Sequence, residues 1–123
     1  MMRRLLAAGA VIAAMMSISA VARADFATGN TLYDKCVAPE GSAELLYCAV
    51  YVSAISDAAR GGVSHDGVAG PGVWGFKECS PETATARQLV DIVKRYLVTH
   101  PENRHFGASV VVAAALAEAF PCK

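Results

Sequence analysis

Three histidines and their polar neighbours are the residues of this chain with the plainest catalytic potential. His100, Glu102, Arg104 and His105 lie within one short segment, and a histidine beside a carboxylate is the usual general acid and base. A structural role explains the same residues more simply. Pro101 sets a turn, Glu102 suits the start of a helix, and a histidine can bond the last carbonyls of the preceding helix. We therefore expect this segment to be structural.

A second polar run contains the residue types of a hydrolase triad. Ser64, His65 and Asp66 are adjacent in sequence, whereas triad groups ordinarily converge from separated positions, so this run supports catalysis weakly. Asp57 and Arg60 are expected to form a solvated pair on a helix. The sequence therefore predicts a protein that is not an enzyme and that requires no cofactor.

The four cysteines are the remaining reactive residues, and they favour disulfides over a metal site. There is no Cys-x-x-Cys pair, and no histidine lies at a zinc-finger interval from another ligand. Four cysteines allow three pairings. Cys36 ends a short predicted helix and Cys48 begins the next, whereas Cys79 and Cys122 flank a predicted antiparallel hairpin. These positions favour Cys36 with Cys48 and Cys79 with Cys122.

The N-terminal segment predicts export. Arg3 and Arg4 precede an apolar run over residues 5–21, and Ala22, Arg23 and Ala24 form the small-x-small pattern that signal peptidase recognises. An uncleaved anchor is the alternative, because the run is nearly long enough to cross a bilayer. We expect a signal peptide over residues 1–24, cleavage after Ala24, and a periplasmic domain over residues 25–123.

The charge of the mature chain argues against a nucleic-acid partner. The sequence has 11 basic and 11 acidic residues, and three arginines leave with the leader, so 8 basic residues remain against 11 acidic ones. No basic stripe is present for a phosphate backbone. The 99 residues from 25 to 123 suit a single small domain.

The C-terminal third predicts two antiparallel helices. Thr85 and Gln88 form a capping box at the start of the first helix, and Pro101 suits the first turn of the next. Pro121 ends the second helix. The apolar stripes of the two helices are Leu89, Ile92, Val93, Tyr96 and Leu97 on the first, and Ala108, Val111, Val112, Ala115, Leu116, Ala119 and Phe120 on the second.

Two more helices are predicted before Cys79. Thr28 can cap a short helix that carries Leu32, Tyr33 and Cys36. A longer helix is expected from Ser42 or Ala43 to about Arg60, where two glycines end it. The predicted fold class is therefore all-α: a small four-helix domain with two disulfides, a C-terminal antiparallel hairpin, and a long glycine-rich loop between helices 2 and 3.

That loop is the least regular part of the chain. Six of the eighteen residues from Gly61 to Glu78 are glycine, and they surround Trp74, the only tryptophan, and Phe76. A loop of this length in a small domain is typical of a functional segment. Exposed aromatics would make it a contact surface. The alternative is that Trp74 and Phe76 fold back over the helices.

A family resemblance rests on three segments, Gly-Asn-x-Leu-Tyr, His-Pro-Glu-x-Arg-His and Phe-Pro-Cys, together with the cysteines. The residues that carry it are Phe26, Thr28, Gly29, Asn30, Leu32, Tyr33, Cys36, Cys48, Tyr51, Ser53, Asp57, Cys79, Pro81, Gln88, Leu89, Tyr96, Leu97, His100, Pro101, Glu102, Arg104, His105, Ala115, Leu116, Phe120, Pro121 and Cys122. In these the chain resembles the Rap/Tai family of immunity proteins. Residues expected to maintain the fold are Asn30, Tyr33, Gln88, Pro101, Glu102, Arg104, His105 and Phe120.

The resemblance implies a helical, disulfide-bonded periplasmic protein, often dimeric, that blocks a peptidoglycan-cleaving amidase delivered by a type VI secretion system. We expect the glycine-rich loop to enter the amidase cleft, with Trp74 and Phe76 as apolar contacts and His65 and Asp66 as polar ones. The alternatives are an acid-stress chaperone of the periplasm, which would bind many unfolded clients, and a small glycan-binding or structural protein of the envelope.

Overall fold

The computed structural model describes residues 27–60 and 72–123, and within these ranges the chain forms four α-helices. They are α1 (Gly29–Cys36), α2 (Ala43–Arg60), α3 (Ala86–Thr99) and α4 (Ala108–Ala119). The all-α fold class is as predicted. The expected signal peptide and its cleavage site lie outside the described residues, as do His65 and Asp66.

Local sequence signals account for two of the helix starts. Thr28 precedes α1, and its hydroxyl oxygen accepts a hydrogen bond from the Thr31 amide at 3.3 Å. At α3 the capping box is complete, because Gln88 N donates to Thr85 Oγ1 at 3.2 Å and Thr85 N donates to Gln88 Oε1 at 2.8 Å. Each cap satisfies backbone donors that lack a partner within the helix.

The connection between α3 and α4 differs from the prediction. Pro101 does start a helical turn, but it is a three-residue 3-10 turn that ends at Asn103, and α4 starts only at Ala108. The intervening backbone pairs with the beginning of α1 instead: Asn30 N donates to Arg104 O at 2.8 Å and Gly29 N to Phe106 O at 2.9 Å. These long-range bonds separate the 3-10 turn from α4.

The core lies where the four helices meet, with all four contributing fully buried side chains. α4 is the most apolar helix, and half of its twelve residues are buried, so it presents a broad apolar side to the rest of the bundle. The largest fully buried side chains are Leu32, Cys36, Cys48, Val52, Ser56, Val93, Leu97, Val112 and Leu116.

Two disulfides fasten the bundle, and their pairing is the predicted one. Cys36–Cys48 joins the end of α1 to α2 inside the core, where both residues are fully buried. Cys79–Cys122 joins the segments before α3 and after α4 at an exposed edge. Among the helices of residues 27–60 and 72–123, none combines the length and hydropathy needed to cross a bilayer.

Candidate partner-binding surface

A tight turn presents the single tryptophan to solvent. Val73 and Phe76 exchange two backbone hydrogen bonds, of 3.0 and 2.9 Å, around Trp74 and Gly75. Both central residues have positive φ, 54° at Trp74 and 79° at Gly75, which is the pattern of a type I′ turn. We call residues 73–76 the Trp74 turn. Trp74 is 67% exposed, which contradicts for this residue the alternative in which Trp74 and Phe76 fold back over the helices, whereas Phe76 is only 36% exposed.

The backbone of Trp74 is strained, and a side-chain contact holds it. A bulky residue with positive φ is rare, and such strain persists only where the surroundings enforce it. The indole Nε1 of Trp74 donates to Ser109 Oγ, at the start of α4, at 2.9 Å. A Cβ on Gly72 would collide with the Phe76 carbonyl, so the approach to the turn requires glycine.

Two tyrosines on α2 extend this surface. Tyr51 lies beside Ser109; burial raises the pKa of its phenol above the ordinary value near 10, and hydrogen bonding to Ser109 opposes the shift. The ring of Tyr47 stacks on Tyr51 with centroids 5.9 Å apart. Tyr47, Tyr51 and Trp74 therefore form an aromatic strip beside Ser109. Phe76, in the same turn as Trp74, is 36% exposed.

The outward side of α2 is unusually apolar for a surface helix. Leu46 and Val50 are 64% and 61% exposed, and Ala54 is also exposed. These three residues follow one another at intervals of four, which places them in one row. We call this row the α2 outer face. Exposed charged side chains on α2 lie only towards its ends, at Glu44, Asp57 and Arg60.

The base of the Trp74 turn is attached to the bundle at two points. Ser56 Oγ, on α2, donates to Glu78 Oε1 at 2.8 Å, and both side chains are buried. The next residue, Cys79, donates its amide to Phe120 O at 2.9 Å and is linked to Cys122. The segment that carries Trp74 therefore has little freedom to move relative to α2 and α4.

The histidine-rich segment makes contacts with helix ends. His100 stacks on Tyr96, with centroids 4.2 Å apart, and its Nδ1 lies 3.1 Å from the Tyr96 carbonyl oxygen. Arg104 Nε donates to Leu97 O at 2.6 Å, and its guanidinium carbon lies 3.8 Å from the ring centre of Tyr33. A cation above an aromatic face is attractive. The segment thus binds the end of α3 to α1.

The remaining predicted residues occupy separate places. Glu102 is exposed on the 3-10 turn, and His105 packs on Phe106 with centroids 4.1 Å apart. Asn30 is exposed at the start of α1, and Phe120 is half-buried beside the core. Within the described part of the chain, no group of three or more histidine, cysteine, aspartate or glutamate residues could hold a metal ion.

Sequence reasoning missed Ser109, Tyr47 and the α2 outer face. A signal for the outer face was available, because Leu46, Val50 and Ala54 recur at helical spacing on the side opposite Cys48 and Val52. No sequence signal joined Trp74 to Ser109, which lies 35 residues away.

One of three comparisons with known proteins identifies a family. No curated protein and no solved structure matched the chain. A family model described as Rap1a immunity proteins matches residues 28–122, which span all four helices and both disulfides. The chain therefore belongs to the Rap1a immunity protein family.

Proposed function

We propose that this protein is a periplasmic immunity protein that binds and inhibits a peptidoglycan-degrading amidase delivered by a type VI secretion system. Family membership implies a toxin partner, and immunity proteins generally act by binding without catalysis. The two disulfides fit a protein that works outside the cytoplasm, where thiols oxidise. The proposal goes beyond family membership in two respects, because it names an amidase as the target and the periplasm as the location.

The Trp74 turn is the part that we assign to the amidase. The observation that carries this assignment is an exposed tryptophan in left-handed backbone geometry, fixed to Ser109 by its indole N–H. Strained backbone of this kind collects at ligand clamps. Tryptophan is enriched among the residues that dominate binding energy, and a turn fixed in advance loses less conformational entropy when it binds.

The inhibition experiment uses the mature protein and the amidase encoded beside it, with wild type and two Trp74 variants. Trp74→Ala is expected to weaken binding by at least ~2 kcal/mol, or roughly thirtyfold, because it removes the exposed anchor. Trp74→Phe retains an aromatic ring but removes the hydrogen bond to Ser109. Its effect on the affinity therefore measures how much the fixed conformation of the turn contributes to binding. Calorimetry and amidase assays give the two readouts.

The matched control is Val98→Ala, an exposed apolar position on α3 that is 50% accessible. It should bind like wild type. Equal affinity of Trp74→Ala and wild type would remove the turn from the interface. Failure of the wild type to bind any adjacent amidase, together with acid-induced binding of many unfolded clients, would support the chaperone function instead.

We also propose that a second copy of the chain covers the α2 outer face. Leu46 and Val50 are among the most exposed large apolar side chains of the described residues, and they form one row with Ala54. In a two-fold dimer the same row on each copy would pack against the other. In this proposal the second copy contacts Leu46, Val50 and Ala54, and the amidase contacts the Trp74 turn.

A further inference from the structure

An acidic notch opens at the base of the Trp74 turn, between the end of α2 and the segment before α3. It has a volume of about 670 Å³. Three carboxyl groups and one guanidinium are among its lining groups. The residues that line it are Asp57, Arg60, Glu78, Cys79, Ser80 and Glu82.

One lining side chain is buried without enough hydrogen-bond donors. Glu78 is only 5% exposed, and its Oε1 accepts from Ser56 at 2.8 Å. Its Oε2 is buried and has no hydrogen-bond partner among the described residues, and the buried Oγ of Ser80 has none among them either. Buried polar groups are nearly always paired, and a carboxylate removed from water without donors is strongly disfavoured.

The charges around Glu78 favour a positive occupant. Arg60 is paired with Asp57 at 3.4 Å, and no salt bridge joins Glu78 or Glu82 to a described basic residue. A metal ion is a poor fit, because the described residues include no group of three or more ligands arranged to hold one. An ammonium or guanidinium group brings several N–H donors with its charge, which suits a carboxylate and a hydroxyl together.

We propose that this notch binds a lysine or arginine side chain of the protein that the chain inhibits. The identity of that protein rests on the proposed function, whereas the preference for an organic cation rests on the notch alone. Glu78 and Ser80 supply the acceptors in the floor, and Glu82 attracts the cation at the rim. Glu78, in the floor of the notch, follows Trp74 by four residues in the sequence, so a partner that binds the turn can also contact the notch.

The cation preference is tested on the free protein, by recording amide NMR spectra during titration with methylguanidinium and methylammonium chloride. Saturable shifts are expected at residues 56, 57, 78, 80 and 82. Tetramethylammonium, which has no N–H donor, should not produce them. Shifts that are absent, or that are equal with tetramethylammonium, would overturn the proposal, as would tight saturation of the same amides by calcium.

Two variants test the residues. Glu82→Gln changes only the exposed rim and should weaken the methylguanidinium shifts, whereas Glu118→Gln removes the same charge from an exposed position on α4 and should not. Glu78→Gln should abolish them, with its fold checked by the dispersion of the spectrum. Unchanged titrations in Glu82→Gln and Glu78→Gln would contradict the assignment.

The partner is tested with the amidase bound by the wild type. Glu82→Gln should lower the affinity roughly threefold, the effect of one exposed charge at the rim, while Glu118→Gln should leave it unchanged. Equal affinities of these variants would overturn the partner assignment. If the wild type binds no amidase, the proposed function and the identity of the partner are both wrong. The methylguanidinium titration would still show whether the notch binds an organic cation.

Discussion

At the scale of single residues, the Trp74 turn shows how one backbone conformation depends on its neighbours. Trp74 has positive φ, and Gly72 and Gly75 have φ of 80° and 79°. The two glycines differ in their surroundings. A Cβ at Gly75 would meet nothing within 4 Å, whereas a Cβ at Gly72 would collide with the backbone of Phe76. At Gly75 only the positive φ disfavours a larger residue. At Gly72 the positive φ and the lack of space for a Cβ both disfavour one.

Gly72→Ala is therefore expected to disturb the turn more than Gly75→Ala. The second change carries only the penalty of left-handed geometry, about 1–2 kcal/mol in the free energy of unfolding. The first adds a collision with the Phe76 carbonyl, so the backbone of the turn that carries Trp74 must shift. Because Trp74 is the only tryptophan, its fluorescence emission reports the turn directly. A Gly72→Ala spectrum and stability identical to those of Gly75→Ala would contradict this account.

Tyr51 makes the stability of the fold sensitive to alkaline pH. Burial, opposed by the hydrogen bond to Ser109, raises the pKa of its phenol above the ordinary value near 10. The folded state therefore holds the phenol proton more tightly than the unfolded state does. The resulting stabilisation is complete below pH 10 and is lost as the pH rises through the raised pKa.

The measurement compares denaturant unfolding of wild type and Tyr51→Phe from pH 8 to pH 11.5. The difference in unfolding free energy between them should be constant below about pH 10 and should then shift against the wild type. Phenolate absorbance of wild type minus that of Tyr51→Phe should give a midpoint above 10. A midpoint at or below 10 would refute the prediction.

At the scale of elements, the two disulfides differ in their burial and in the length of chain that they close. Cys36–Cys48 closes a short connection within the core, and Cys79–Cys122 closes a loop over 43 residues that contains α3 and α4. The loop-entropy model assigns roughly 3 kcal/mol to the first and roughly 4 kcal/mol to the second. The burial of Cys36 and Cys48 adds a packing contribution that the exposed pair lacks.

A mild dithiol reductant should therefore open Cys79–Cys122 before Cys36–Cys48. Attack on a disulfide requires access to its sulfur atoms, and the buried pair is reached only when the bundle opens. Alkylation at timed intervals followed by peptide mass spectrometry measures the order. In concentrated guanidinium chloride the difference should disappear, which is the control. Earlier labelling of Cys36 or Cys48 under native conditions would contradict the prediction.

At the scale of the whole molecule, the described residues of the bundle leave the α2 outer face exposed. The inward side of α2 carries Cys48, Val52 and Ser56, all fully buried, while Leu46 and Val50 remain in water. Burying apolar surface contributes about 25 cal/mol for each Å² removed from water. A second copy is the occupant that a repeated, self-complementary row fits most simply.

Leu46→Arg is expected to yield a monomer where the wild type is a dimer, because it places a charge within the shared apolar row. Light scattering across a range of concentrations measures the mass, and the melting temperature of the wild type should rise with concentration while that of Leu46→Arg should not. Val98→Arg adds the same charge at an exposed valine on α3 and should remain dimeric. Equal masses for wild type and Leu46→Arg would exclude the α2 outer face as the dimer interface.

The sequence by itself determined the parts of this protein that depend on near neighbours. Thr85 and Gln88 lie three residues apart, so their capping box was readable. The cysteine pairing was also predicted, although Cys79 and Cys122 are 43 residues apart, because each cysteine lies near the end of a predicted helix. The family segments likewise identified the chain. Helix periodicity then fixed the fold class, because it follows from the order of apolar residues alone.

Only the tertiary structure decided the features that join distant parts of the chain. Trp74 acquires its orientation from Ser109, 35 residues away, and Glu78 is buried through Ser56, 22 residues away. The start of α4 is likewise set by the pairing of residues 104 and 106 with α1. Each of these features depends on which backbone and side-chain groups the packed helices bring within bonding distance. Local helix and turn propensities contain no information about those long-range contacts.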